Sequence, residues 1–90
     1  MRVALICIDK PGQLEVRKAN REAHLAHIVA SGVVEMAGPF LDAEGGMCGS
    51  LVVLEVADLQ AAKDWAAADP YARAGLFGSV DCREWKKVIG

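Results

Sequence analysis

The sequence lacks the features that mark several classes of protein. It has no basic block, no RNA-binding aromatic pattern and no Cys/His finger spacing, and its net charge is −2. Nucleic acid is therefore not expected as a partner. The apolar run within residues 1–12 is too short for a signal peptide or a membrane span. We expect a cytoplasmic chain that does not associate with a membrane.

Cysteine is scarce and gives no sign of a disulfide framework. The three cysteines include no Cys-x-x-Cys pair, and an odd number cannot all pair within one chain. Cys7 and Cys82 lie in strand-like runs, where a buried thiol behaves as a small hydrophobe. Cys48 lies in a glycine-rich stretch, and nothing beside it in the sequence indicates an activated nucleophile.

Two ligand-binding motifs are present only in part. His24 and His27 have the i, i+3 spacing of a metal-binding pair, but no motif supplies the remaining ligands. The glycines of residues 45–49 precede a strand, whereas the glycines of a phosphate-binding loop precede a helix. We expect no metal and no cofactor.

Apolar residues, by contrast, are plentiful for so short a chain. No repeat, low-complexity tract or linker divides the 90 residues, so we expect one domain spanning residues 1–90. A chain of this length buries only about 60–65% of its unfolded surface. Yet 53% of the residues are hydrophobic, and the mean hydropathy is positive. The surplus indicates a surface that a partner covers, and we expect a homodimer or a higher homo-oligomer.

The pattern of apolar residues and chain breakers predicts six main elements. Apolar, β-branched runs bounded by turn residues predict strands at 2–9, 33–38, 49–57 and 77–88. Stretches without Gly or Pro predict helices at 13–31 and 59–68, with Gly32 after the first and Asp58 capping the second. Pro39 is expected to open a loop through residue 48, and residues 71–74 could form one further helical turn.

The order of these elements is β-α-β-β-α-β, which predicts an α+β, ferredoxin-like fold with a four-stranded antiparallel sheet. Both helices then cover one face of the sheet. The strands at 2–9 and 49–57, however, have apolar side chains at both alternations, so the second face also needs cover. A second copy packed sheet to sheet would form a dimeric α/β barrel.

The long helix has a polar stripe that includes a histidine. Arg17, Arg21 and His24 lie within about 60° of one another around the helix axis, and Ile28 extends the stripe as an apolar residue. His24 therefore lies where polar and apolar surfaces meet, as at the mouth of a pocket. A histidine at such a border is also commonly a hydrogen-bonded structural group.

The second helical pattern is broken at Asp69-Pro70-Tyr71. Proline disfavours helical conformation in the residue before it, so Asp69 is expected at a helix end. An aspartate in that position is commonly a cap or a turn former. A functional role for its carboxylate needs evidence from elsewhere in the chain.

Together these motifs resemble the YciI-like family across nearly the whole chain. The matching residues are Arg21-x-x-His24-Leu25, Ala37-Gly38-Pro39, Gly49-Ser50, Asp69-Pro70-Tyr71, Gly75-Leu76-Phe77 and Trp85-Lys86. The resemblance implies a dimeric α+β barrel, in agreement with the patterning. It also implies an active site built on a histidine and an aspartate, which correspond to His24 and Asp69.

A carboxylate that binds one imidazole nitrogen fixes the tautomer and makes the other nitrogen a better base. The resemblance therefore predicts a general acid/base pair, His24 and Asp69, in one cleft. The characterised dehydrochlorinase of that family suggests proton transfer with elimination or isomerisation on small ring-derived substrates. A small-molecule ligand is the expected partner.

We assign contacts with that small molecule to Arg17 of the polar stripe and to four residues of the matching motifs, namely Arg21, Gly38, Pro39 and Tyr71. Either arginine could instead form an exposed salt bridge. Two other functions also stay open: a dimer that binds a metabolite without catalysis, and a structural or partner-binding module.

Overall fold

The predicted order of elements is confirmed. The computed structural model describes residues 1–90, and its elements are β1 (Arg2–Asp9), α1 (Leu14–Ser31), β2 (Val34–Leu41), β3 (Met47–Glu55), α2 (Leu59–Ala68), α3 (Pro70–Arg73) and β4 (Phe77–Glu84). The fold is α+β and ferredoxin-like, with a short third helix directly after α2. None of the helices is long and apolar enough to cross a membrane.

The sheet places the two most apolar strands at its centre. Its order is β2-β3-β1-β4, and all neighbouring strands are antiparallel. Strands β1 and β3 are the two whose side chains are apolar at both alternations. A central strand has no free edge, so each of these strands is paired on both sides, and their side chains fill both faces of the sheet.

The core lies between one face of the sheet and the helices. Alternate residues of β1 and β3 point to this face and pack against α2, and the cluster comprises Val3, Leu5, Cys7, Val52, Leu54, Ala62, Trp65 and Ala66. Fully burying an aliphatic side chain of this kind stabilises a protein by about 1.5–3 kcal/mol. This cluster therefore fixes α2 over β1 and β4 and leaves α1 over the other half of the sheet.

Helix ends agree with the capping residues in the sequence. Helix α1 ends at Gly32, whose φ of 67° lies in the left-handed region that glycine adopts without steric cost. Helix α2 begins after Asp58, whose carboxylate accepts a hydrogen bond from the Ala61 N–H at 2.8 Å. Helix α2 ends at Ala68, immediately before Asp69.

The prediction of a short second strand and a loop over residues 39–48 is wrong. Strand β2 continues through Pro39 to Leu41, and β3 begins at Met47, so a tight turn joins two longer strands. Proline is tolerated because β2 is an edge strand, where a missing N–H need not interrupt the sheet. In the turn, the Asp42 carboxylate accepts from the N–H groups of Glu44 and Gly46, each at 2.9 Å.

The last strand is also shorter than the predicted range of 77–88. Strand β4 ends at Glu84, although the Trp85 N–H still donates to the Arg2 carbonyl at 3.0 Å. Beyond that bond β1 offers no further partner, because its first strand residue is Arg2. Pairing with β1 therefore sets the end of β4.

The face of the sheet opposite the helices is apolar and open in the single chain. Ile8 and Met36 on this face are 46% and 48% exposed. Ala4, Ile6 and Leu51 are directed to the same face by the strand register. An apolar surface of this extent is typical of a protein–protein contact.

We propose that a second copy covers this open face, as the sequence predicts. Two sheets packed in this way would bury at least about 1,500 Å² in total. Sedimentation at micromolar concentration should give twice the chain mass of 9.6 kDa. Ile8→Glu should give a monomer because it places a charge in the interface, whereas Val29→Glu on the exposed side of α1 should stay dimeric. A wild-type monomer would contradict this proposal.

Close approach of β1 and β3 explains a glycine at position 49. A Cβ atom there would collide with the Cys7 carbonyl oxygen and lie 3.0 Å from a ring carbon of Phe40. We expect Gly49→Ala to lower the free energy of unfolding by about 1–3 kcal/mol in urea denaturation. Gly78→Ala is the matched control, since the nearest atom to its Cβ would be 3.6 Å away. Equal losses in the two variants would show that crowding at Gly49 is relieved at no cost.

The buried thiol of Cys7 gives a pH-dependent contribution to stability. Burial, with a smaller effect of the Asp69 charge, raises the pKa of Cys7 from 9.0 to about 12. Between these values the unfolded chain loses a proton that the folded chain keeps, so stability falls as pH rises. From pH 9 to 11 the wild type should lose more unfolding free energy than Cys7→Ala, measured by urea denaturation. Identical slopes would contradict this assignment.

Candidate active site

A cleft opens between α1 and the β2–β3 half of the sheet. Its volume is about 160 Å³, and its lining combines polar residues with the apolar side chains Leu25, Ile28, Met47 and Val52. Six of the seven residues predicted for the site line it, namely Arg17, Arg21, His24, Gly38, Pro39 and Tyr71. The seventh, Asp69, does not line the cleft and contacts His24 instead.

His24 and Asp69 are in direct contact, as predicted. The His24 Nδ1 atom lies 2.8 Å from Oδ1 of Asp69, and the two residues are 6% and 2% exposed. The pair joins the middle of α1 to the break that follows α2, across 45 residues of sequence. Burial strengthens such a contact because little water competes for either group.

The break at Asp69-Pro70-Tyr71 places the carboxylate. Asp69 has an extended backbone, and Pro70 begins α3, where its fixed φ suits the first helical position. Oδ1 of Asp69 also accepts from the Tyr71 N–H at 3.0 Å. The carboxylate therefore caps α3 and binds His24 at the same time, so the capping role and the contact with the imidazole coexist.

The contact with Asp69 leaves one imidazole nitrogen of His24 available. A carboxylate only accepts hydrogen bonds, so Nδ1 is the donor and Nε2 is the basic nitrogen. No residue of the chain binds Nε2, and no side-chain polar atom in the protein is both buried and without a partner. The Nε2 atom consequently meets solvent in the cleft that His24 lines.

Tyr71 connects the histidine to the arginines. Its ring stacks on His24 with centroids 4.0 Å apart and planes 15° apart, and Cζ of Arg17 lies 4.8 Å from its centroid. Burial raises the pKa of Tyr71, while the charges of Arg17 and Arg21 lower it by less. Its hydroxyl is therefore a proton-bearing donor at neutral pH.

Arg17 is held by an ion pair. Its Nε and Nη2 donate to the two carboxylate oxygens of Asp9 at 2.8 and 2.9 Å, and Nη2 also donates to Ser50 Oγ at 2.9 Å. Burial by itself would lower the pKa of Arg17, but the hydrogen bonds and charge of Asp9, with smaller contributions from Tyr71, together raise it above its usual value. The alternative of an exposed salt bridge is wrong for Arg17, which is 3% exposed.

Sequence reasoning missed Asp9 and gave no role to Ser50. The available signals were an aspartate at the end of a buried strand and a serine after a glycine at the start of another. Neither is specific, because both residue types are common at strand ends. Their significance depends on the antiparallel pairing of β1 with β3, which brings both strands to Arg17.

Arg21 and His27 differ in their relation to the cleft. Arg21 is exposed at its mouth and forms no ion pair. His27 lies outside the cleft, where it contacts the Trp65 carbonyl at 3.2 Å and the Trp65 ring at 4.4 Å. His27 therefore packs against Trp65. The structure has no group of three or more potential metal ligands.

Similar folds are found among solved structures. The 5-chloro-2-hydroxyhydroquinone dehydrochlorinase of Burkholderia phenoliruptrix, solved in complex with 2,5-dihydroxybenzoquinone, aligns with a TM-score of 0.88. It is 30% identical, and the alignment covers 96% of this chain and 94% of that one. A solved antibiotic biosynthesis monooxygenase shares the fold at 12% identity and a TM-score of 0.56, covering 96% and 98% of the two chains.

Sequence comparison identifies the family. An uncharacterised protein of Haemophilus influenzae is 41% identical over 98 residues, spanning 99% of this chain and all of that protein. Protein YciI of Escherichia coli is 38% identical over 90 residues, spanning 90% of this chain and 92% of its own length. The profile of the YCII-related domain matches residues 1–86. The chain therefore belongs to the YCII-related domain family.

Proposed function

We propose that the protein is an enzyme that transfers a proton on a small ring-derived molecule, with His24 as the acid/base group and Asp69 as its partner. The observation that supports this proposal best is the 2.8 Å contact between His24 Nδ1 and Asp69. It leaves Nε2 as a basic atom in a cleft that also contains hydrogen-bond donors. General acid/base catalysis needs this combination of a base and a bound substrate.

The size and lining of the cleft suit one substituted ring. Its volume of about 160 Å³ is close to that of a protein cavity that holds benzene. Leu25, Ile28 and Val52 offer apolar contacts to the faces of such a ring. Polar groups at the other positions of the lining can then select its oxygen substituents.

The solved dehydrochlorinase supports the reaction class. Its name states that it removes hydrogen chloride from a chlorinated hydroxyhydroquinone, and its structure contains a dihydroxybenzoquinone. Elimination of this kind removes a proton from the ring or its hydroxyl group as chloride leaves. A histidine base in a small cleft is suited to removing that proton. Isomerisation and lactone reactions also begin with the removal of a proton from the substrate.

In the mechanism, Nε2 of His24 takes a proton from a hydroxyl or an acidic carbon of the substrate. Asp69 stabilises the imidazolium that forms, without itself gaining the proton. Arg21, at the mouth of the cleft, attracts the negative charge that develops on the substrate oxygens. The same imidazolium then returns the proton to the product or releases it to water.

The roles of the pair can be separated by two amide substitutions. His24→Asn removes the proton carrier, and the rate should fall about 10²–10⁴-fold. Asp69→Asn keeps a cap for α3, because asparagine also caps helices, but removes the charge that stabilises the imidazolium. Its rate should fall by a smaller factor. Turnover of 5-chloro-2-hydroxyhydroquinone and a panel of hydroxylated rings and lactone acids would be followed by absorbance.

His27→Asn is the matched control, since it replaces a histidine on the same helix that does not line the cleft. It should turn substrate over at the wild-type rate, and circular dichroism should show the native fold in all three variants. Wild-type rates in His24→Asn would overturn the proposal. Binding of panel members by a wild type that turns none over would favour the metabolite-binding alternative.

A further inference from the structure

A second polar group borders the cleft on the side of Tyr71 away from the proton-transfer pair. It consists of Asp9, Arg17 and Ser50, joined by hydrogen bonds of 2.8–2.9 Å. Proton transfer by His24 does not require this group. Burying an arginine and an aspartate costs desolvation free energy, and their mutual attraction offsets this cost only in part, so the group is not explained by stability alone.

We propose that Arg17, Ser50 and Tyr71 form an oxygen-binding subsite of the cleft, and that Asp9 is its positioning residue. The inference rests on the proposed function in that it locates a second oxygen of the same substrate. One oxygen, or the carbon beside it, meets Nε2 of His24. Another oxygen, carrying full or partial negative charge, accepts hydrogen bonds at the subsite.

Arg17 and Tyr71 both keep a capacity to donate hydrogen bonds at this position. Nε and Nη2 of Arg17 are engaged by Asp9 and Ser50. The guanidinium also donates a weaker hydrogen bond to Tyr71, so the Tyr71 hydroxyl keeps its own proton for another acceptor. Arg17 and Tyr71 are 3% and 2% exposed, yet no side-chain polar atom is both buried and without a partner. Both residues line the cleft, so their donor groups can meet a ligand there.

Asp9 holds the guanidinium through Nε and Nη2 and does not bind Nη1. It is the last residue of β1, and the pairing with β4 shifts register between Ile8 and Asp9. Such a bulge redirects a side chain, and bulges are common beside active sites. The bidentate contact fixes the plane of the Arg17 guanidinium, which a single hydrogen bond would not do.

Ser50 is placed by the glycine before it. Because residue 49 has no Cβ, β3 approaches the Cys7 carbonyl closely, and Ser50 Oγ lies 2.9 Å from Nη2 of Arg17. Oγ accepts this hydrogen bond, so its own proton can be donated elsewhere. The serine therefore restrains the guanidinium through the same Nη2 that Asp9 binds, and it adds a hydroxyl to the subsite.

The charges define the ligand class. Asp9 neutralises Arg17, so the subsite offers directed hydrogen bonds with little net charge, whereas the unpaired Arg21 supplies net positive charge at the mouth. A phenolate, enolate or quinone oxygen on a planar ring fits these donors, and the ring contacts the apolar lining. The ligand class is thus a ring with oxygens at two positions, at least one of them anionic.

The test is binding of 2,5-dihydroxybenzoquinone, which carries oxygens on opposite sides of one ring, followed by absorbance titration. Tyr71→Phe keeps the ring that stacks on His24 and removes only the hydroxyl. It should weaken binding about tenfold, the loss expected for one hydrogen bond to a charged oxygen. Asp9→Asn should weaken it by a similar factor because it releases the guanidinium, and Asp9→Glu should restore part of the affinity.

Glu35→Gln is the matched control. It changes a carboxylate to an amide in another arginine–carboxylate pair, in which Nε of Arg2 lies 2.9 Å from both oxygens of Glu35, and neither residue lines the cleft. Its affinity should stay within twofold of the wild type. The subsite is overturned if Tyr71→Phe binds as tightly as the wild type, or if the wild type does not bind the probe at millimolar concentration.

Failure of this subsite and failure of the proposed function give different results. Binding needs no turnover, so a wild type that binds the probe with the expected Tyr71 dependence but catalyses no reaction retains the subsite and loses the enzymatic role. Turnover that depends on His24, together with probe binding that does not depend on the hydroxyl of Tyr71, retains the enzymatic role and loses the subsite. If Asp9→Asn fails to fold, Tyr71→Phe still decides the outcome, since its ring packing is unchanged.

Discussion

The contact between α1 and the break after α2 is the constraint on which the rest of the site depends. Asp69 uses one oxygen to accept from the backbone of Tyr71 and from His24, so the start of α3 and the imidazole are fixed by one atom. The Tyr71 ring then packs on His24 and Arg17. Because these groups are nearly excluded from water, each contact limits the freedom of the next.

Two polar pairs are thereby held apart by one aromatic ring. Asp69 contacts His24, and Asp9 forms an ion pair with Arg17. The ring of Tyr71 packs against both His24 and Arg17. Each carboxylate compensates the group it contacts, so neither buried cation nor buried anion is left alone. The arrangement leaves a basic nitrogen and separate hydrogen-bond donors directed to one small cleft.

The same sheet meets two different demands on its two faces. The face under the helices contains the core and, at the β2–β3 side, the cleft. The other face is apolar and open. This is unusual because a monomeric protein rarely exposes a large apolar patch, and a short chain buries only a modest share of its surface on folding. Strands β1 and β3 satisfy both faces because they are central and have apolar side chains at both alternations, and the proposed dimer accounts for the outer face.

The expectation that His24 and Asp69 meet came from the resemblance to the YciI-like family, whereas local patterns in the sequence determined the element order and the helix ends at Gly32 and Asp58. These follow from backbone preferences and side-chain periodicity, which neighbouring residues fix. The continuation of β2 through Pro39 and the end of β4 depend on strand pairing, so only the tertiary structure decided them. The roles of Asp9 and Ser50 also required it, because residues 8 and 33 positions from Arg17 become its ligands only when β1, β3 and α1 pack together.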